Sequence, residues 1–295
     1  MTSHDVVNRV RRILGTRRVG HTGTLDPFAT GVMVVVVGKA TRLAQFLDKD
    51  EKEYEALLRF GFETDTGDRT GEPRTAETQR RGEGEIGSYL SQVDWEHTLG
   101  EFRGEIEQTP PMYSAKKIGG KKLYESARKG VEVERKAVVV SIRELEIVDT
   151  ISETNLGLGT LDFGLKVVCS AGTYIRVLAE DIGRRLGVGA HLAELRRTRS
   201  GRFKIDESVT LDQLASADDP ANYLLPIDEA VSHLDAFWLD STRAEATANG
   251  LSTRVGDLSF ADGQTLRMQG PDGSLLAIGI FNAEDNSIRP KVVLV

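Results

Sequence analysis

The sequence predicts an α+β protein in two parts, and three observations carry that expectation. Apolar segments at 32–37, 52–60, 138–148 and 161–169, β-branched or partly alternating, read as strands with a core-facing side. Stretches at 5–14 and 177–186 place apolar residues at helical spacing, as surface helices do. From about Leu211 aspartates multiply, basic residues thin out, and Gly263, Gly270, Pro271-Asp272-Gly273 and Pro290 mark turns at short spacing. A boundary is expected near 230–238, with a small, largely β module closing the chain.

In chain order, Val6, Val7, Val10 and Leu14 form the apolar stripe of the first helix, with Arg9, Arg11 and Arg12 outward and Ser3 or Asp5 as its cap. Residues 20–30 are small and polar, hence a loop feeding a buried strand at 32–37 between Gly31 and Gly38. A short helix is expected at 40–47. Tyr54, Ala56, Leu58 and Phe60 then alternate along a strand. Residues 63–85, rich in Thr, Asp, Glu, Arg and Gly, predict a mobile surface loop. A helix at 95–102 ends before Thr109-Pro110-Pro111, and a basic helix follows at 121–129. Strands are expected at 138–148, 161–169 and 172–177, then a helix at 177–186, the turn Gly187–Gly189, and the segment 191–197.

Composition narrows the function classes. The chain has 295 residues, 39% hydrophobic, too apolar for a disordered polypeptide. Its longest apolar run, 32–37, is far short of the roughly 18 residues that cross a bilayer. With no basic-then-apolar leader, a soluble, cytoplasmic protein is expected. A single cysteine, Cys169, excludes an internal disulfide framework and any multi-cysteine zinc site. The net charge of −7 argues against a nucleic-acid partner, but its distribution does not. Residues 1–50 carry +4, and 111–130 and 171–204 carry +5 each, against −7 over 63–107 and −10 over 205–295. Three basic segments converging on one face would suit a phosphate backbone, although each alone reads as solvated surface.

Common catalytic signatures are missing. No Gly-x-x-x-x-Gly-Lys-Ser/Thr, His-Glu-x-x-His or Gly-x-Ser-x-Gly occurs, and none of the five histidines pairs with another at metal-ligand spacing. The informative stretch runs from Gly20 through His21, Asp26 and Pro27 to Gly31. Pro27 drives Asp26 to extended backbone, so its carboxylate points in a defined direction at the mouth of a core. Residue chemistry alone favours an Asx-turn in which Asp26 caps neighbouring amides. Tyr54 reads as a half-buried core aromatic. Tyr174 and Arg176 share a face if 172–177 is a strand, and a buried Arg176 would need Asp26 or a phosphate as partner. Arg196, Arg197 and Arg199 are expected to face water or nucleic acid.

Gly20-His21-Thr22-Gly23-Thr24-Leu25-Asp26-Pro27 with Ala29-Thr30-Gly31 resembles the catalytic motif of TruB-type tRNA pseudouridine synthases. The likeness continues, in the family's order, through Lys52-Glu53-Tyr54, Gly61-Phe62-Glu63-Thr64-Asp65-Thr66, Pro110-Pro111-Met112-Tyr113-Ser114-Ala115, Gly120-Lys121-Lys122-Leu123-Tyr124, Gly172-Thr173-Tyr174-Ile175-Arg176, Gly189-Ala190-His191-Leu192 and Leu195-Arg196-Arg197. It covers most of residues 1–200. The resemblance implies a mixed, mostly antiparallel central sheet flanked by helices over 1–232, an RNA-gripping insertion at about 102–136, and a β-rich, PUA-like domain over 233–295. It implies isomerisation of the uridine at position 55 in the tRNA T-loop, with no metal, nucleotide or redox cofactor, no guide RNA, no membrane, and a monomer.

By the same resemblance, Asp26 matches the catalytic aspartate, Tyr54 the tyrosine that stacks on the target base, and Arg176 the arginine paired with the aspartate. His21, Tyr174 and Leu195 match positions that shape the uridine pocket. Lys121 and Lys122, with Lys116 and Lys117, match RNA-gripping positions. Family members carry an upstream strand ending in an Asp-Lys-Pro-like segment. Met1-Thr2-Ser3-His4-Asp5 begins inside that pattern, so the strand and its lysine are expected to be missing.

Overall fold

The computed structural model describes residues 1–295 except 75–82, 115, 124–126, 128–129, 132, 152–160 and 257–258. The chain divides into two units, one comprising Met1–Ser3, Gly23–Val34 and Lys49–Ser208, the other His4–Thr22, Val35–Asp48 and Val209–Val295.

The first unit is built on a seven-stranded sheet. Its path runs Phe203–Lys204, Ala190–Ser200, Lys52–Phe60, Leu161–Cys169, Val138–Ile151 and Gly104–Gln108, each pair antiparallel. Thr30–Gly31 adds in parallel to Ala190–Ser200. The sheet is therefore mixed and mostly antiparallel, as the resemblance implied. Alternation along Lys52–Phe60 works as read: Tyr54, Ala56, Leu58 and Phe60 are buried on one face. They join Phe163, Leu165 and Val167 from the next strand and Leu178, Ala179 and Ile182 from the helix Ile175–Leu186. Phe60 and Phe163 meet edge-to-face at 5.5 Å between centroids, and Trp95 leans on Phe163 at 4.6 Å. Trp95 opens the helix Trp95–Gly100, whose first turn is capped by Asp94 accepting from the His97 N–H.

Several local expectations fail, each for a legible reason. Only Val35–Val37 of the apolar run 32–37 is strand, pairing with Val19–His21. Residues 172–177 are not a strand. Tyr174 is the N-cap of the helix Ile175–Leu186, because Gly172 at φ +86° and the Thr173 hydroxyl bonded to the Ser170 carbonyl close a turn before it. Lys121–Lys122 is no helix but a short strand opposite Lys117–Ile118, followed by helical Leu123 and Ala127; the remainder of 121–129 lies outside the described residues. The polar segment 63–74 is not a free loop: Thr64 and Asp68 are buried, Thr64 bridges Pro73, and Gly67 and Arg69 exchange backbone hydrogen bonds with Leu192. Residues 75–82 lie outside the described residues, and 83–90 is a helix.

The second unit holds a five-stranded sheet ordered Asp235–Trp238, Thr265–Gln269, Leu275–Asn282, Ser287–Val293 and Thr253–Arg254, with the first pair parallel and the rest antiparallel. Pro271-Asp272-Gly273 is the hairpin turn the sequence marks, with Gly273 at φ +82°. Phe237, Leu266, Met268 and Phe281 fill one core. Leu275, Ile278 and Val292 pack with Val36, Leu43 and Leu47, which places 35–48 in this unit. Among the described residues no helix is long and apolar enough to cross a membrane.

Candidate active site

Between Gly23 and Val32 the chain makes a small-residue loop whose two ends are tied down. Leu25 and Phe28, flanking Asp26, lean on the core of the first unit. The Ser3 hydroxyl accepts from the Leu25 N–H and donates to the Leu25 carbonyl, so Ser3 staples this loop. A turn closes through the Ala29 N–H bonded to the Asp26 carbonyl at 3.0 Å. At the far end the Val32 N–H donates to the Arg197 carbonyl. Gly31 sits at φ +103°, and a Cβ there would lie 2.1 Å from that carbonyl oxygen, so no side chain fits.

The loop presents the Asp26 carboxylate to Arg176. Arg176 Nε donates to Oδ2 at 2.9 Å and Nη2 to Oδ1 at 3.0 Å, a bidentate fork. The same guanidinium donates from Nη1 to the Thr66 carbonyl and from Nη2 to the Tyr113 carbonyl, each at 2.8 Å. Its side chain is 5% exposed, whereas that of Asp26 keeps 31%. The Asx-turn is thus not formed: the carboxylate reaches across to a helix rather than to its own amides. Arg176 reaches the site as the second residue of a helix, not from a strand.

A second carboxylate stands beyond the guanidinium. Asp68, 4% exposed, places Oδ2 3.7 Å from Arg176 Nη1. Its Oδ1 accepts from the Thr66 hydroxyl, the Thr70 N–H and the Thr70 hydroxyl. Sequence reasoning passed over Asp68 because it lay in an apparently solvated stretch. The flanking Thr66 and Thr70, two residues to either side, were the available signal of a local cap.

Charge at the centre is set by competing influences. Burial is the largest and raises the Asp26 pKa above its ordinary value; the Arg176 charge and hydrogen bonds pull it down, and Asp68 adds a smaller upward push. Tyr54 lies on the buried face of its strand, 9% exposed, and burial raises its phenol against the opposing charge of Arg197. Leu195 is buried two rungs along, its partner across the strands being Ala56. Tyr174 is held by Gln108, whose Oε1 accepts from the Tyr174 N–H at 2.9 Å while Nε2 donates to its carbonyl. Burial raises the Tyr174 phenol, and the Arg176 charge opposes that rise.

The structure therefore brings Asp26 onto Arg176 and sets Tyr54 and Leu195 on one sheet face. His21 ends the strand Val19–His21 in the second unit. Lys121 and Lys122 form one strand of the 117–122 hairpin. Arg196 is exposed as expected, but Arg197 is buried, and Arg199 is half-buried with Nη2 2.7 Å from Glu51. Among the described residues no group of three or more His, Cys, Asp or Glu could hold a metal ion.

Comparison with known proteins gives this geometry a family. Residues 11–175 match the model for the TruB family pseudouridylate synthase N-terminal domain, and 176–232 match the tRNA pseudouridylate synthase B C-terminal domain. The tRNA pseudouridine synthase B of Bacillus pumilus is 40% identical over 300 residues, covering 100% of this chain and 94% of that protein. That of Heliobacterium modesticaldum is 45% identical over 279 residues, covering 95% and 86%. Among solved structures, one chain of a Cbf5-Nop10-Gar1 complex superposes with a TM-score of 0.71 at 27% identity, covering 100% of this chain and 82% of that one. With a family model matching more than half its length and relatives alike from end to end, this chain belongs to the TruB family of pseudouridylate synthases.

Proposed function

We propose that this chain isomerises the uridine at position 55 in the T-loop of tRNA, acting alone as a monomer and without a guide RNA or cofactor. The observation that carries the reading is the Asp26 carboxylate, gripped by a buried arginine yet open on its other side. A uridine inside an RNA loop must leave its stack before its sugar carbon can be reached, at a cost of a few kcal/mol. Stacking on the Tyr54 ring returns about 1–3 kcal/mol of that. Tyr174 and Leu195 are assigned to the walls around the flipped base.

Chemistry then needs an ionised carboxylate. Whether Asp26 attacks C1′ or assists a glycal-forming elimination, the C1′–N1 bond breaks, the base turns, and C1′ joins C5, whose proton leaves last while the freed N1 takes one up. No atom is gained or lost, so the reaction is an isomerisation. Burial favours the neutral acid, and the Arg176 fork is what opposes it. Tyr54 is assigned a part in removing the C5 proton. Lys121 and Lys122, with Lys116 and Lys117, are assigned to RNA phosphates, where charge rather than base identity is read.

Incubation of the purified chain with an unmodified tRNA transcript, followed by mapping of pseudouridine, tests the proposal. Modification at position 55 without added protein or RNA is the expected result; no product, or product elsewhere, contradicts it. A second reading has one specific support: solved relatives at 25% and 27% identity come from an H/ACA RNP and from the Cbf5-Nop10-Gar1 complex. Activity that appears only with accessory components would favour it.

A further inference from the structure

Arg197 is a fully buried arginine, 1% exposed, and among the described residues no carboxylate pairs with it. Arginines of this kind are rare, because a buried charge without a counter-ion is costly unless its donors are used elsewhere. Here they are used on the catalytic loop. Nε donates to the Val32 carbonyl at 2.7 Å and Nη1 reaches the Thr24 carbonyl at 3.4 Å, so one side chain touches the loop on both sides of Asp26. The backbone joins in, with the Val32 N–H on the Arg197 carbonyl and Gly31 directly opposite Arg197 in the parallel pairing.

On its other flank Arg197 is the direct cross-strand partner of Tyr54. Side chains of such a pair leave the same face of the sheet, and both are buried there. Nη2 is left without an acceptor among the described residues, and the Arg197 charge opposes the rise that burial gives the Tyr54 phenol. One rung thus runs Gly31–Arg197–Tyr54, linking the aspartate loop to the tyrosine.

We propose that Arg197 is a positioning residue that fixes the Asp26 loop and the Tyr54 hydroxyl relative to each other for the isomerisation. The inference rests on the functional reading above and adds to it a residue that acts through both of its groups. Lysine preserves the charge but not the fork, so it cannot hold both carbonyls and face the phenol together.

The experiment measures single-turnover rate, tRNA affinity and melting for Arg197→Lys and Arg197→Gln, then repeats the rates in a Tyr54→Phe background. Misplacement of reacting groups by about 1 Å slows chemistry by about 100-fold. Arg197→Lys is therefore expected to lose about 100-fold in rate, with the tRNA Kd changed less than about threefold and folding kept. Tyr54→Phe should slow Arg197→Lys by a smaller factor than it slows the wild type, since the two act as one unit. Unchanged rates, additive effects, or loss of folding in both variants would overturn the inference. An Asp26→Asn control separates the two levels. If it is active, the functional reading fails; if it is inactive while Arg197→Lys is unimpaired, only this inference fails.

Discussion

Two loops of similar composition approach Arg176, and they do opposite things with an aspartate. The 23–32 loop and the 63–74 segment are both rich in glycine and threonine, and each offers Arg176 an aspartate. The first leaves Asp26 with no local donors, bound through both oxygens to the guanidinium and 31% exposed on its side chain. The second wraps Asp68 in two hydroxyls and an amide and leaves it 6% exposed. A carboxylate saturated by neutral donors is a structural element, whereas one held only by a salt bridge at a solvent edge remains free to react. What distinguishes them is how many donors surround each and how much of each stays open.

The sharpest way to break this comparison is to remove each carboxylate in turn. Asp68→Ala strips the buried acceptor from three part-buried donors and should destabilise the fold by about 1–3 kcal/mol, read as a clear fall in thermal melting. Asp26→Asn should stay folded, with melting within about 4 °C of wild type. The sign follows from its pKa. Because the folded state raises it, the protonated carboxyl is the form folding favours, so Asp26 contributes its stability at acid pH and loses it as pH rises through the folded value. A neutral asparagine should therefore compare best with wild type at pH 7 and worst below about pH 4, near the ordinary aspartate pKa. Equal destabilisation by both substitutions would erase the distinction.

Next in size is Gly31→Ala. Its Cβ would meet the Arg197 carbonyl at 2.1 Å in a left-handed backbone conformation, so a loss of about 2 kcal/mol or more is expected, together with slower catalysis. The same change at Gly87, with nothing within 4 Å of the added carbon, is the control. The Arg176 fork can be probed through the rate against pH. Activity should rise with pH as Asp26 ionises, and Arg176→Gln, by deleting the influence that lowers this pKa, should move that acid limb upward. An unmoved limb would mean that another group titrates.

Smaller effects sharpen the picture away from the centre. Replacing Lys121 and Lys122 with alanine should weaken tRNA binding and flatten its salt dependence by about one to two units of slope, without changing the modified position. A changed site would mean that they read bases. Cys169, buried with its pKa pushed up to about 11, should resist alkylation in the native protein and react on unfolding.

The sequence disclosed the alternation that buries Tyr54 and the loop that presents Asp26, because both depend on local spacing. It also disclosed the C-terminal turn at Pro271-Asp272-Gly273, which the structure shows joining a hairpin. It misread whatever depended on distant partners. Arg176 on a presumed strand is in fact on a helix, because a tight turn at Gly172 outweighs the apolar run after it. Asp68 and Thr64 look solvated until Leu192 is brought beside their loop. Arg197 looks like surface charge beside Arg196, yet alternation along the Ala190–Ser200 strand sends one outward and the other into the core.

The most direct test of the central claim is release of tritium from tRNA labelled at uridine C5, measured with wild type and Asp26→Asn at equal folded concentration. Wild type should release label as C1′ joins C5, and Asp26→Asn should release none above background. Release by the asparagine variant at the wild-type rate would show that the carboxylate on Arg176 is not the group that carries the reaction.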